Sequence, residues 1–234
     1  MPQFDRQSAR LSQRDQLILE HVARYRITTN EVVHKLHFRR QRPNAVTKVT
    51  ARLTRLDSLR RATLDHPRAY FTLGSAGTAM LGLPENRALP LGPQSLPTEF
   101  GVLAFAALGR STRRRLTRQE LQERFPDFEQ GIIEQAYCLD AAGVLELVRV
   151  DLGGAPDHIA RKCRADMQSR LAAASFAKLI AAGQFRLVVV SCTTEKAAAI
   201  GEALQRHLWP DGLLFHLAVV PELILLTASL NDAS

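Results

Sequence analysis

Apolar residues return at helical spacing three times in the first third of the chain, each time behind a helix-start signal. In "LSQRDQLILEHVARY" Ser12 stands as N-cap with Asp15 three residues on, and Leu17, Ile18, His21, Val22 and Tyr25 share one face. "ITTNEVVHKLHF" repeats the pattern, with Thr28 or Thr29 as cap and Val32, Val33 and Leu36 as the buried stripe. A basic turn, "RRQRPNA", leads into a third helix over about Asn44 to Ser58, with Pro43 at its first position where the missing N–H costs nothing. Then "RRATLDHPRAYFTLG" reads as strand, turn at Asp65-His66-Pro67 and strand, and "SAGTAMLGL" as a short closing helix. Three helices followed by a hairpin is the order of a winged helix-turn-helix.

In the third helix, Val46, Val49, Leu53 and Leu56 cluster on one side at about 100° per residue, and Asn44, Thr47, Lys48, Ala51, Arg52 and Arg55 on the other. A winged helix lays this helix in the major groove and its hairpin along the phosphates. On that reading Asn44, Thr47 and Lys48 reach base edges, and Arg52 and Arg55 read guanine or clamp phosphate. Arg39, Arg40 and Arg42 in the turn and Arg68 at the hairpin tip hold the backbone, with Arg60, Arg61 and Tyr70 of the hairpin as further contacts.

Charge supports this placement. Residues 1–83 carry 15 Lys and Arg against 6 Asp and Glu, a net of +9, whereas residues 84–234 carry 16 against 17, a net of −1. An excess confined to one segment marks a local anion-binding surface rather than a general solubility device.

The same residues resemble a known family. Leu11, Ser12, Arg14 and Asp15 match a Leu-[Ser/Thr]-x-Arg-Asp opening. The Arg-rich third helix and Tyr70-Phe71-Thr72-Leu73, with Gly74 and Gly77 nearby, match the remainder over residues 11–83. The pattern is similar to that of the replication-relaxation family, winged-helix proteins of plasmids and other mobile bacterial elements. The resemblance implies a role in replication control or transcription.

"PENRALPLGPQSLP", residues 84–97, reads as a linker. Residues 98–183 read as a second winged-helix-like lobe. "TEFGVLAFAALG" and "LTRQELQERFP" give helices; a third begins in "DFEQGIIEQAYCLDAAG", followed by a strand, a turn at Gly153-Gly154 and a long Ala-rich helix. No Lys or Arg occurs from Asp127 to Leu147, so the third helix of this lobe repels phosphate, and its Glu129, Glu134 and Asp140 face outward. The "RSTRRR" run, Arg110 to Arg115, reads as solvated charge or a peripheral backbone contact. Residues 184–234 read as a small α/β unit, with "FRLVVVS", "GLLFHLAVV" and "ELILLTA" as strands. The fold class is therefore α+β.

The two C-terminal modules are expected to mediate a homodimer through residues beyond about 98, using Ile132, Ile133, Ala136, Tyr137 and Leu139. No phosphate-binding loop is present, nor a strand-borne acid pair followed by Lys, so no enzymatic site and no cofactor are expected. His34 and His37 have ligand spacing but no completing Cys or carboxylate, so no metal is expected. Trp209, before Pro210, reads as a packing anchor. Three scattered cysteines fit a reducing cytoplasm. The longest apolar runs are too short for a membrane span, and the first residues show no signal peptide. The expected partner is double-stranded DNA, bound sequence-specifically; the alternative is an adaptor in which the basic helix docks an acidic protein. Enzymatic activity in the α/β unit is a third and weaker reading.

Overall fold

The computed structural model describes residues 11–109 and 111–231. Arg110 and the leading residues read for a signal peptide lie outside the described residues. Helix and strand are mixed, an α+β chain in two compact units: residues 1–62 with 70–89, and residues 90–234 with the hairpin tip 63–69.

The first unit holds α1 (Gln13–Tyr25), α2 (Asn30–His37), α3 (Pro43–Arg55) and α4 (Ser75–Met80) around strand β1 (Thr28–Thr29) and all but the tip-side ends of β2 (Leu59–Asp65) and β3 (Arg68–Leu73). Strand order is β1-β3-β2, and β1 is antiparallel to β3 with Thr28 opposite Phe71. Sequence periodicity misses β1 because two residues carry no alternation. The capping box at α1 forms as its spacing requires. Ser12 Oγ accepts from the Asp15 N–H (3.2 Å), while the Ser12 N–H donates to Asp15 Oδ2 (2.8 Å). Thr29 Oγ1 caps α2 by accepting from the Val32 N–H (3.3 Å).

Ile18, Leu19, Val22, Val33, Phe38, Val46, Leu53, Leu59, Phe71 and Leu73 form one core. Leu56, grouped with that stripe by sequence, stands exposed because α3 ends at Arg55. Gly74 and Gly77 have a steric purpose: a Cβ on either would come within 2.2 Å of a carbonyl oxygen, that of Asp57 or Ser58 respectively. The amides of Ala76 and Gly77 donate to Asp57 O (3.1 and 3.4 Å), so α4 packs directly on the turn that ends α3.

The second unit is built on one five-stranded sheet, β4 (Arg113–Arg115), β5 (Tyr137–Asp140), β6 (Leu145–Val150), β7 (Phe185–Ser191) and β8 (Leu214–Val219), in that order. β4, β5 and β6 run antiparallel; β6, β7 and β8 run parallel. Helices α6 (Arg118–Arg124), α7 (Gln130–Ile133), α8 (Pro156–Leu171), α9 (Ala174–Ala181) and α10 (Thr194–Gln205) accompany it. α5 (Ser95–Leu103) continues as a π-helical turn over Ala104–Leu108, and α11 (Leu223–Asn231) closes the unit.

This architecture corrects several expectations. No division separates 98–183 from 184–234: β6 pairs with β7 in register across it, and one core runs from Leu116 to Leu204. Parallel strands need a helical crossover, and α8–α9 supply it. Tyr137–Asp140, expected in a helix, is a strand, because the Asp140-Gly143 turn folds it antiparallel onto β6. α7 is thereby cut to four residues. "ELILLTA", expected as a strand, lies in α11, where Thr227 Oγ1 donates to Leu223 O (2.8 Å); short apolar runs carry no period that separates the two states. Within residues 84–97, Glu85–Ala88 form a 3-10 turn belonging to the first unit, and α5 already begins at Ser95. Ile132, Ile133 and Tyr137 are buried in the unit's own core and so offer no surface for a partner, while Ala136 and Leu139 are partly buried. Trp209 does anchor packing: Nε1 donates to Leu204 O (2.8 Å).

Candidate nucleic-acid interface

α3 divides as an amphipathic helix must. Val46, Thr50 and Leu53 are buried, while Asn44, Thr47, Lys48, Ala51 and Arg55 are exposed along one side at i, i+3, i+4, i+7 and i+11. Thr50 fixes the helix on its inner side, its hydroxyl donating to Val46 O (3.1 Å) and to Asn30 Oδ1 of α2 (3.1 Å). The exposed face is thus rigidly presented. Arg42 is the N-cap residue and makes no side-chain cap bond, with Pro43 following at the first helical position. Arg40 and Arg42 project from the preceding turn. From Val32 to Leu56 the chain has seven Lys and Arg and no Asp or Glu.

Other expected contacts prove to have structural roles. Arg52 turns inward to Asp15, whose side chain is 2% exposed against 38% for Arg52. Burial alone raises the Asp15 pKa, but the hydrogen bonds from Arg52 and Ser12 outweigh it and hold the carboxyl below its usual range. Arg52 therefore clamps α3 to α1. Arg39 folds back, its Nε donating to Lys35 O (2.7 Å). Arg60 is exposed but tethered, with Nη1 donating to Ala88 O (3.0 Å). Arg61 stands exposed on β2. Arg68, at the hairpin tip, forms a bidentate pair with Asp65. Tyr70 is corrected outright: it is 8% exposed, paired with Thr29 in the sheet, and burial raises its pKa. It is a packing residue. Asn44, Thr47, Lys48, Arg55, Arg40, Arg42 and Arg61 are the expected residues that remain available on the surface. The Arg52–Asp15 pair was missed from sequence; Asp15 was legible only as half of a capping box.

Histidine chemistry in this unit is that of packing. His21 lies 6.3 Å from His37 between ring centroids and 4.7 Å from Tyr25, and the Nε2 atoms of His21 and His37 find no hydrogen-bond partner. Burial, then the neighbouring His37 and Arg24, push the His21 pKa down to about 3. His34 Nε2 lies 2.8 Å from Gln41 O. Among the described residues no three His, Cys, Asp or Glu converge as a metal would require.

The second unit contains a carboxylate pair that sequence reading did not find. Asp140 and Glu146 lie on the same sheet face, because Cys138 is opposite Glu146. Both are already bound. Arg186 Nη1 lies 2.6 Å from Glu146 Oε1 and 3.4 Å from Asp140 Oδ2, and Arg113 Nε donates to Glu146 Oε2 (2.8 Å). Arg114 pairs with Glu120 and Arg115 with Glu99. The Arg113–Arg115 part of the basic run is thus a paired edge strand rather than solvated charge. Cys138 and Cys163 are buried, which pushes both thiols up to about 12 and away from nucleophilic use.

No helix among the described residues is long and apolar enough to cross a membrane. Comparison with protein-family models, with curated proteins and with solved structures finds no match.

Proposed function

We propose that the first unit is a winged helix-turn-helix that binds double-stranded DNA in a sequence-specific way, with α3 in the major groove. The observation that carries this reading is the outer face of α3: Asn44, Thr47, Lys48 and Arg55 are exposed together on a helix that has no acidic residue. Asn pairs bidentately with adenine and Arg or Lys with guanine, so these side chains can read sequence as well as charge. Arg40 and Arg42, beside the uncapped start of α3, hold phosphate. The resemblance to the replication-relaxation family supports a regulator of transcription or replication initiation on a mobile element. The free cysteines support a reducing, cytoplasmic setting.

The test is selection of bound fragments from random duplex DNA, with the region upstream of the protein's own coding sequence included. The expected result is one enriched motif whose binding falls by about 1–3 kcal/mol for Lys48→Ala or Arg55→Ala, with specificity relaxed at one position. Unchanged affinity in the double variant would remove α3 from the groove. No retained duplex at low salt would overturn DNA binding and leave an acidic protein surface as the ligand of this face.

A further inference from the structure

The two edges of the five-stranded sheet are built differently. β4, three residues long, consists of Arg113, Arg114 and Arg115, whose pairing with Glu146, Glu120 and Glu99 guards that edge with charge. β8 is twice as long and reads Leu-Phe-His-Leu-Ala-Val, with no charged residue and no proline inside it. Not one of its residues is fully buried, whereas in the adjacent β7 only Arg186 is not.

The hydrogen-bond register shows what β8 presents. Val220 N–H donates to Ser191 O (2.9 Å), and the parallel pairing with β7 runs unbroken from Leu214 to Val219. Strand alternation therefore turns the N–H and C=O groups of Leu214, His216 and Ala218 toward β7 and those of Phe215, Leu217 and Val219 outward. The side chains of these outward residues share one sheet face, and Phe215 and Val219 are 38% and 40% exposed.

We propose that β8 pairs antiparallel with β8 of a second copy of this chain, about a two-fold axis through Leu217. That register sets Leu217 opposite Leu217 and Phe215 opposite Val219 twice. All three outward residues of each strand become hydrogen-bonded, six bonds in all by the antiparallel rule, roughly two per opposed pair. The two exposed apolar side chains cover one another across the join. The sheet becomes continuous through ten strands. A second copy is the fitting occupant because the strand is self-complementary in this register and carries no charge to repel itself, whereas β4 sets arginine against arginine. Six of the twelve large apolar side chains exposed among the described residues lie between Leu208 and Leu225. Leu208, 98% exposed, adjoins Trp209, whose ring meets Phe215 at 5.0 Å. The closed two-fold contact is the isologous type from which most soluble dimers are made.

Two measurements on the full chain test the register. Light scattering at micromolar concentration is expected to give twice the 26.0 kDa chain mass, and Phe215→Lys/Val219→Lys is expected to give the single mass with the circular dichroism unchanged. In a Cys192→Ser background, Phe215→Cys and Val219→Cys proteins mixed in equal amounts are expected to form an oxidised dimer. Opposed Cα atoms lie about 5.5 Å apart, within disulfide reach. Neither variant alone is expected to crosslink, since like positions are then about 13 Å apart along the strands. A monomeric wild-type chain, a lysine variant that stays dimeric, a mixture that does not crosslink, or either variant alone crosslinking as readily as the mixture would each overturn the pairing. DNA retention by the lysine variant, read at low salt, reports on α3 separately, so failure here and failure of the DNA reading are distinguishable.

Discussion

Between Val32 and Leu56 the first unit bears seven lysines and arginines with no acid among them, and Lys48 and Arg55 have no carboxylate partner among the described residues. On the sheet of the second unit Arg113, Arg115, Arg149 and Arg186, with Arg170 beside them on α8, are all ion-paired, to Glu146, Glu99, Asp166, Glu146 and Asp166 respectively. The residue type is the same and its use is opposite. At Lys48 and Arg55 the cation faces outward and is open to a ligand. In the second unit it neutralises a carboxylate that the fold has buried, and nothing is left for a ligand. A count of charges cannot tell these apart; partners and burial can.

The comparison breaks most visibly on stability. Arg113→Leu leaves Glu146, fully buried, with Arg186 as its remaining cation, and loss of one charged hydrogen bond to a buried carboxylate costs about 1.5–3 kcal/mol. Lys48→Ala on the open face of α3 should move stability by less than about 0.5 kcal/mol. Urea unfolding of the two variants measures the contrast. Equal losses would show that the two sets of cations are not differently used.

Arg52 sharpens it, because it belongs to the basic helix by sequence and to the paired class by structure. Arg52→Ala leaves the buried Asp15 carboxylate with Ser12 as its remaining partner and should lower stability by about 1–2 kcal/mol, well beyond the effect of Arg55→Ala three residues away. A variant that melts like wild type yet loses DNA would return Arg52 to the groove.

Acidification probes the first unit from inside. An unfolded histidine titrates near 6.5, whereas folded His21 is held neutral down to about 3, and burial lowers His37 as well. Between those pH values the unfolded chain binds more protons, so stability is full above pH 6.5 and falls as pH drops. His21 alone accounts for a loss of about 2 kcal/mol by pH 5. Unfolding midpoints at pH 7 and pH 5 should differ less in His21→Leu than in wild type; an unchanged difference would place the titration elsewhere.

How much of this was legible depended on distance along the chain. α1, α2 and α3 could be read because their start signals, caps for α1 and α2 and Pro43 for α3, and their apolar faces are local, and so could the exposed face of α3 with Asn44, Thr47, Lys48 and Arg55. The partner of Arg52 lies 37 residues back and that of Arg60 28 residues ahead, and no local pattern encodes either. Tyr70 looked like an aromatic contact until its pairing with Thr29 buried it. In the second unit β5 and α11 were misassigned because short apolar runs carry no decisive period, and the continuous sheet followed from a parallel pairing between segments about 40 residues apart, Leu145 with Phe185.

The smallest expected effect separates positioning from reading on the exposed face itself. Arg40 and Arg42 act through phosphate, so Arg40→Ala and Arg42→Ala should weaken the selected operator and random duplex alike. Each lost phosphate contact releases one counterion fewer on binding, which flattens the slope of log affinity against log salt by about 0.9. Lys48→Ala, if it removes a base contact, should instead cost operator affinity with the slope on random duplex unchanged. Arg186→Ala should alter neither slope in protein that remains folded, since that cation is already bound to Glu146. Titrations at about 50 to 200 mM salt resolve these cases. Identical slopes for wild type, Arg40→Ala and Arg42→Ala would mean that the turn before α3 does not touch the backbone, and the proposed approach of this helix to DNA would have to be redrawn.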